Sequence, residues 1–132
     1  MRALLLIDIQ NDFMPGGALP VADGDAIIAP VNAAMRDYPL IVATQDWHPV
    51  GHESFASAHP GQQPFATITL HGLAQTLWPE HCLAGSDGAA LHPALDTRRI
   101  AAICLPHDWL TWRLSGAESL ESLTTDRSDA SG

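Results

Sequence analysis

Asp46 and His48 stand two residues apart in "TQDWHP" (44–49), directly after the apolar run "LIVAT". In an extended segment, residues two apart point to the same side. A carboxylate and an imidazole on one side can close on one cation. A third ligand is then needed, and His52, His59, His71, His81 and His92 follow within the next 44 residues. One carboxylate with two imidazoles suits a borderline divalent metal such as Zn, Fe or Mn. A second acid, Asp8, closes another apolar run, "ALLLI".

These residues need elements that bring them together. Residues 3–9 are nearly all apolar and read as a fully buried strand, which favours a parallel sheet. Residues 25–37 read as a helix, with Asp25 as its cap and Ile27, Ile28, Val31, Ala34 and Met35 on one face. Pro30 lies inside this span and is tolerable in a first turn or at a kink. Residues 40–44 read as a second buried strand, so strand, helix and strand form a right-handed crossover. Residues 99–105, "RIAAICL", read as the third strand. The long stretch between the second and third strands is rich in Pro, Gly, His and Trp, and reads as a functional loop rather than a solvated linker. Parallel strands end at one edge, and ligands bind in the crevice outside those carboxyl ends. That edge is where Asp8, Asp46 and His48 fall.

Composition narrows the partners. The chain of 132 residues suits one domain, and 46% apolar content makes it globular. A formal charge of −9 with six basic residues leaves no patch for nucleic acid or an anionic membrane. The apolar runs are too short to span a bilayer. The N-terminus does not read as a signal peptide, because Asp8 interrupts its apolar run. Two cysteines, Cys82 and Cys104, make no disulfide framework. The expected location is the cytoplasm.

Three segments carry a resemblance: "RALLLIDIQNDFMPGGAL" (2–19), "TQDWHPVGHESFAS" (44–57) and "LWPEHCLAGSDGAALHPAL" (77–95). Taken in order, they resemble the nicotinamidase/pyrazinamidase family of isochorismatase-like cysteine hydrolases. The resemblance spans residues 2–104. It implies an α/β fold with a doubly wound parallel sheet, here incomplete because the C-terminal strands are missing. It also implies hydrolysis of nicotinamide, and of pyrazinamide in some members, to the acid and ammonia through a cysteine thioester, in NAD salvage. The family triad is Asp, Lys and Cys, and Asp8 matches the Asp that takes the thiol proton. The family metal is held at positions matching Asp46, His48 and His81, and His52 lies where some members supply a further ligand. Phe13 and Trp78 match aromatics that sandwich the substrate ring, a flat heteroaromatic that gains from offset faces. Asn11 and Asp12 are expected as turn formers, Gln45 as polar filler at the rim and Cys82 as a small buried apolar residue. His59, His71 and His92 are expected on surface loops.

The resemblance stops after the third strand. The chain contains no lysine, and neither Cys82 nor Cys104 stands in the nucleophile's context. Residues 1–104 contain fifteen Val, Ile or Phe and residues 105–132 none, so the tail cannot supply further strands. A marginal helix over 106–114 and a disordered polar end are expected there. A frameshift would account for the change, and a designed or natural truncation is the alternative. "LESLTTDRSD" can be encoded so that the next frame reads Trp-Asn-Pro-Ser-Arg-Arg-Thr-Gly-Leu, similar to a segment that family members carry after the lysine. The expectation is a nicotinamidase by descent that is inactive as this chain. The alternatives are another isochorismatase-like amidohydrolase or a non-enzymatic metal-binding remnant.

Overall fold

The computed structural model describes residues 2–105. The helix and disordered end expected over 105–132 lie outside the described residues, apart from Leu105. A three-stranded parallel sheet runs in the order β1 (Ala3–Leu6), β2 (Leu40–Thr44), β5 (Ala102–Cys104). Helix α1 (Ile28–Ala34) crosses from β1 to β2. This is the parallel α/β arrangement expected from the sequence.

The helical span matches residues 24–37, but only its middle is α-helical. Gly24–Ile27 and Met35–Asp37 are 3₁₀ turns. Pro30 is the third residue of α1, where the missing N–H belongs to the first turn and leaves no bond unmade. Asp25 does not cap. It lies inside the leading 3₁₀ turn, neither helical start has a side-chain cap bond, and Asp23 enters in the left-handed region at φ 54°. Ile28 and Met35 are buried as expected, whereas Ile27 is 47% exposed.

The core is one cluster on the α1 side of the sheet: Leu6, Ile9, Met14, Ile28, Met35, Ile41, Ala43 and Leu95. Strand alternation puts Leu4, Leu6, Ile41 and Ala43 on that face. Leu5, Val42 and Ala102, paired side by side in register, lie on the other. The expected full burial of residues 3–9 does not hold. Leu5 is 55% and Ile7 64% exposed, because among the described residues no helix covers their face. The strand also stops at Leu6, since Asp8 takes φ 51° and turns the chain out of the ladder. β5 is shorter than residues 99–105, because Thr97–Arg99 forms a 3₁₀ turn in which the Arg98 amide donates to the Asp96 side chain.

The long connection between β2 and β5 holds an element the sequence reading missed. β3 (Thr67–Leu70) and β4 (Leu73–Thr76) pair as an antiparallel hairpin. Its two-residue turn, His71 and Gly72, has φ 49° and 82°. Two consecutive positive-φ residues are what a tight hairpin turn matching the strand twist requires. No helix among the described residues is long and apolar enough to cross a membrane.

Candidate metal centre and cleft

Asp46, His48 and His81 meet although 35 residues separate the first from the last. β2 delivers Asp46 and His48 past its carboxyl end. His48 then pairs with the His81 segment: its amide donates to the Cys82 carbonyl (2.8 Å) and its carbonyl accepts from the Ala84 amide (2.8 Å). This short parallel bridge fastens one ligand loop to the other. All three side chains are buried, and one donor atom of each lies within 4.8 Å of the other two. His48 Nε2 is 3.0 Å from Asp46 Oδ1, and His81 Nε2 is 3.2 Å from Asp46 Oδ2.

The donor chemistry tests whether a cation fits. His81 Nδ1 donates to the Pro79 carbonyl at 2.7 Å, so Nδ1 carries a proton. The neutral ring then turns the Nε2 lone pair toward a carboxylate oxygen. Two acceptors facing each other at 3.2 Å need a positive charge between them, either a proton or a metal. In the metal-free state it is the proton. Burial works against charging His81, but the Asp46 carboxylate and the Pro79 carbonyl outweigh burial and raise its pKa. For Asp46, burial pushes upward, yet the hydrogen bonds from His48 and His81 hold the carboxyl well below the usual range. One carboxylate and two imidazoles, all shielded from water and with His81 oriented from behind by the Pro79 carbonyl, fit a divalent metal.

The remaining residues singled out in the sequence lie around this centre. Asp8, Phe13, Asp46, His48, His52, Trp78 and His81 all line one cleft of about 490 Å³. Asp8 stands at the strand edge, and its Oδ1 accepts from the Thr44 hydroxyl at 2.6 Å. The Phe13 ring is 5.8 Å from that of His81. Trp78 is held by its own backbone, which donates to the Ser54 carbonyl (2.8 Å) and accepts from the Ala56 amide (2.9 Å). The His52 ring is 4.8 Å from that of His48. His52 Nδ1 accepts from the Ser54 amide at 3.3 Å, and His52 is outside the three-residue donor group.

Cys82 is fully buried, in keeping with its reading as a small apolar residue, and it takes φ 48°. Burial pushes its thiol up to about 12, with Asp46, Asp12 and Asp8 adding to the effect, so it stays protonated and unreactive. Cys104 is exposed at the end of β5. His71 is exposed and bonded to Glu53 at 2.7 Å, and His59 bonds the Glu53 carbonyl at 2.7 Å. His92 accepts from the Ala94 amide at 3.2 Å. None of these three lines the cleft.

Three features around the cleft escaped the sequence reading, besides Gln10. Gln45 is not rim filler, because its amide donates to the Ala89 carbonyl at 2.8 Å. Phe55, fully buried, sets its ring edge-on to His48 (5.0 Å) and His81 (5.4 Å), forming an apolar floor beneath both imidazoles. The hairpin closes one wall through Ala74, Gln75 and Thr76. The apolar Phe55 in the otherwise polar "GHESFAS" was the available signal for the floor.

No protein-family model matches the chain. The nicotinamidase of Escherichia coli (strain K12) is 49% identical over 107 residues, covering 77% of this chain and 49% of the relative. The solved nicotinamidase/pyrazinamidase of Acinetobacter baumanii superposes with a TM-score of 0.75 at 48% identity, covering 78% of this chain and 50% of that one. The pyrazinamidase of Pyrococcus horikoshii, solved in complex with zinc, gives a TM-score of 0.60 at 40% identity over 79% of this chain and 50% of that one. The chain thus spans about half the length of the curated relatives it matches. In sequence and in fold the chain is similar to the nicotinamidases and pyrazinamidases over about half of their length.

Proposed function

We propose that the chain holds the metal- and ring-binding part of a nicotinamidase-type amidohydrolase, which hydrolyses nicotinamide to nicotinate and ammonia. The observation that carries this reading is the convergence of Asp8, Phe13, Trp78 and the Asp46/His48/His81 group on one cleft. In this reading those three residues hold Zn, Fe or Mn. The ion supplies a Lewis-acidic anchor for the pyridine nitrogen of the substrate. Phe13 and Trp78 face the two sides of the ring and fix its plane, which brings the carboxamide to one place. Asp8 is the acid group at that edge, its carboxylate aimed by Thr44, and its role is to take a thiol proton. Pyrazinamide, with a ring of the same shape, is a second substrate. In this reading the chain works in the cytoplasm, and His52 contributes to the wall rather than to the ion.

The chain of 132 residues holds no lysine. Cys82 is buried and protonated, and Cys104 is not among the residues that line the cleft. Thioester chemistry needs a thiolate at the carbonyl, a base and donors for the oxyanion, and groups that act as a unit lose nearly all function when one is removed. In this reading these 132 residues by themselves bind metal and nicotinamide without turning the amide over. The test is to load the purified chain with Mn or Zn, titrate it with nicotinamide and assay ammonia. Binding without ammonia is the expected result. Ammonia release on the order of 1 per second, an ordinary enzyme rate, overturns the inactive reading. Failure to bind both metal and nicotinamide overturns the whole proposal.

A further inference from the structure

Residues 10–12 supply no ligand to the metal, yet they touch both loops that do. Gln10 is fully buried. Its side-chain amide closes a two-bond ring on the backbone of Asp46: Nε2 donates to the Asp46 carbonyl (2.7 Å) and Oε1 accepts from the Asp46 amide (2.7 Å). The second Nε2 proton goes to the Ala89 carbonyl at 2.8 Å. The chemistry fixes this orientation, because a flipped amide would set its oxygen against two carbonyl oxygens. Gln10 thus replaces, with a side chain, the ladder bonds that end at Thr44.

Asp12 does the same for the other loop. Its Oδ2 accepts from the Cys82 amide at 2.7 Å, one residue beyond His81. Its Oδ1 accepts from the Ala18 amide at 3.2 Å, and its own amide donates to the Gly88 carbonyl at 3.0 Å. Gly88 makes room for this carboxylate, since a Cβ there would collide with Oδ2. Asp46 and His81 therefore hang from one short segment, through bonds that span 36 and 70 positions of sequence.

We infer that Gln10 and Asp12 are the positioning residues of the metal centre, setting the distance between the Asp46 and His81 ligand loops from a segment that never touches the ion. The inference rests on the reading of Asp46, His48 and His81 as metal ligands. The side chains that orient ligands carry about 10- to 100-fold in metal affinity, and a buried amide with all its bonds made holds a loop more tightly than packing alone.

The test is zinc affinity by competition with a chromophoric chelator, with the absorption spectrum of the cobalt-loaded chain as a report on geometry. Gln10→Met keeps the volume and removes all three bonds. Gln45→Met, which removes only a bond to the same Ala89 carbonyl, is the control. Gln10→Met is expected to weaken zinc at least tenfold and to change the cobalt spectrum, with Gln45→Met altering neither. If Gln10→Met does not fold, Asp12→Ala decides, with the same expectation. His48→Ala separates the two layers of the argument. If the parent chain binds no zinc, or His48→Ala binds it as well as the parent, the ligand reading fails and this inference with it. If His48→Ala loses zinc while Gln10→Met or Asp12→Ala keeps the parent's affinity and spectrum, the inference alone is overturned.

Discussion

At the residue scale, the contact between His81 Nε2 and Asp46 Oδ2 makes the centre a competition between a proton and a metal. Because the His81 pKa is raised, the proton holds on to higher pH than on an ordinary imidazole. Above that pKa the lone pair is open to a cation. As the pH falls through it, zinc must displace a proton, and affinity should drop by up to about tenfold per pH unit. Affinity that stays flat from pH 8 to pH 5 would contradict this. In the metal-free chain the signs run the other way. His81 contributes stability in acid, and this is lost as the pH rises through its raised value. Asp46 contributes above the ordinary carboxylate range, and this is lost only in strong acid. Thr44 offers a second test, since its hydroxyl donates to Asp8 Oδ1 at 2.6 Å and accepts from the Asp8 amide at 3.3 Å. Thr44→Val keeps the shape and removes both bonds, and should cost about 1 kcal/mol, read from a denaturant midpoint.

At the element scale, the hairpin carries the cleft wall, so its turn should matter to binding. Gly72 sits at φ 82°, which a β-branched residue tolerates poorly. Gly72→Val should cost about 1–2 kcal/mol and weaken nicotinamide binding while leaving zinc affinity near the parent's value, because Ala74–Thr76 line the cleft but hold no ion. Equal losses in both would mean that the hairpin and the metal loops do not separate. Much of this layer was legible in the sequence. β2 was read at its observed bounds because an apolar run of strand length is closed by Pro39 before it and by Gln45 and Asp46 after it. β1 was read too long because nothing in "LIDIQ" announces the left-handed Asp8. The hairpin was missed although "TLHGL" places a glycine in the second position of a two-residue turn, since histidine is a weaker signal there than asparagine. The grouping of Asp46, His48 and His81 was legible because the spacing of the first two is local and the third is borne by a motif. Gln10 was not, because its partners stand 36 and 79 positions away and no local pattern marks a buried amide.

At the scale of the whole molecule, the sheet is covered on one face only among the described residues. β5 is exposed along its length, with Ile103 47% exposed, and its outer edge pairs with no described strand. A parallel edge with no partner among the described residues, beside exposed apolar side chains, invites association. The purified chain is therefore expected to self-associate as its concentration rises. Light scattering that stays monomeric through the millimolar range would refute this. The face of Leu5, Val42 and Ala102 has a calorimetric consequence as well. Heat-capacity change on unfolding tracks the apolar surface newly hydrated. The exposed Leu5 and Ala102 are already hydrated in the folded state and add little to it, which also leaves less area for denaturant to act on. The melting curve should be broad and shallow, with a heat-capacity increment below the usual figure of about 12–15 cal/mol/K per residue, and stability should change little between the refrigerator and body temperature.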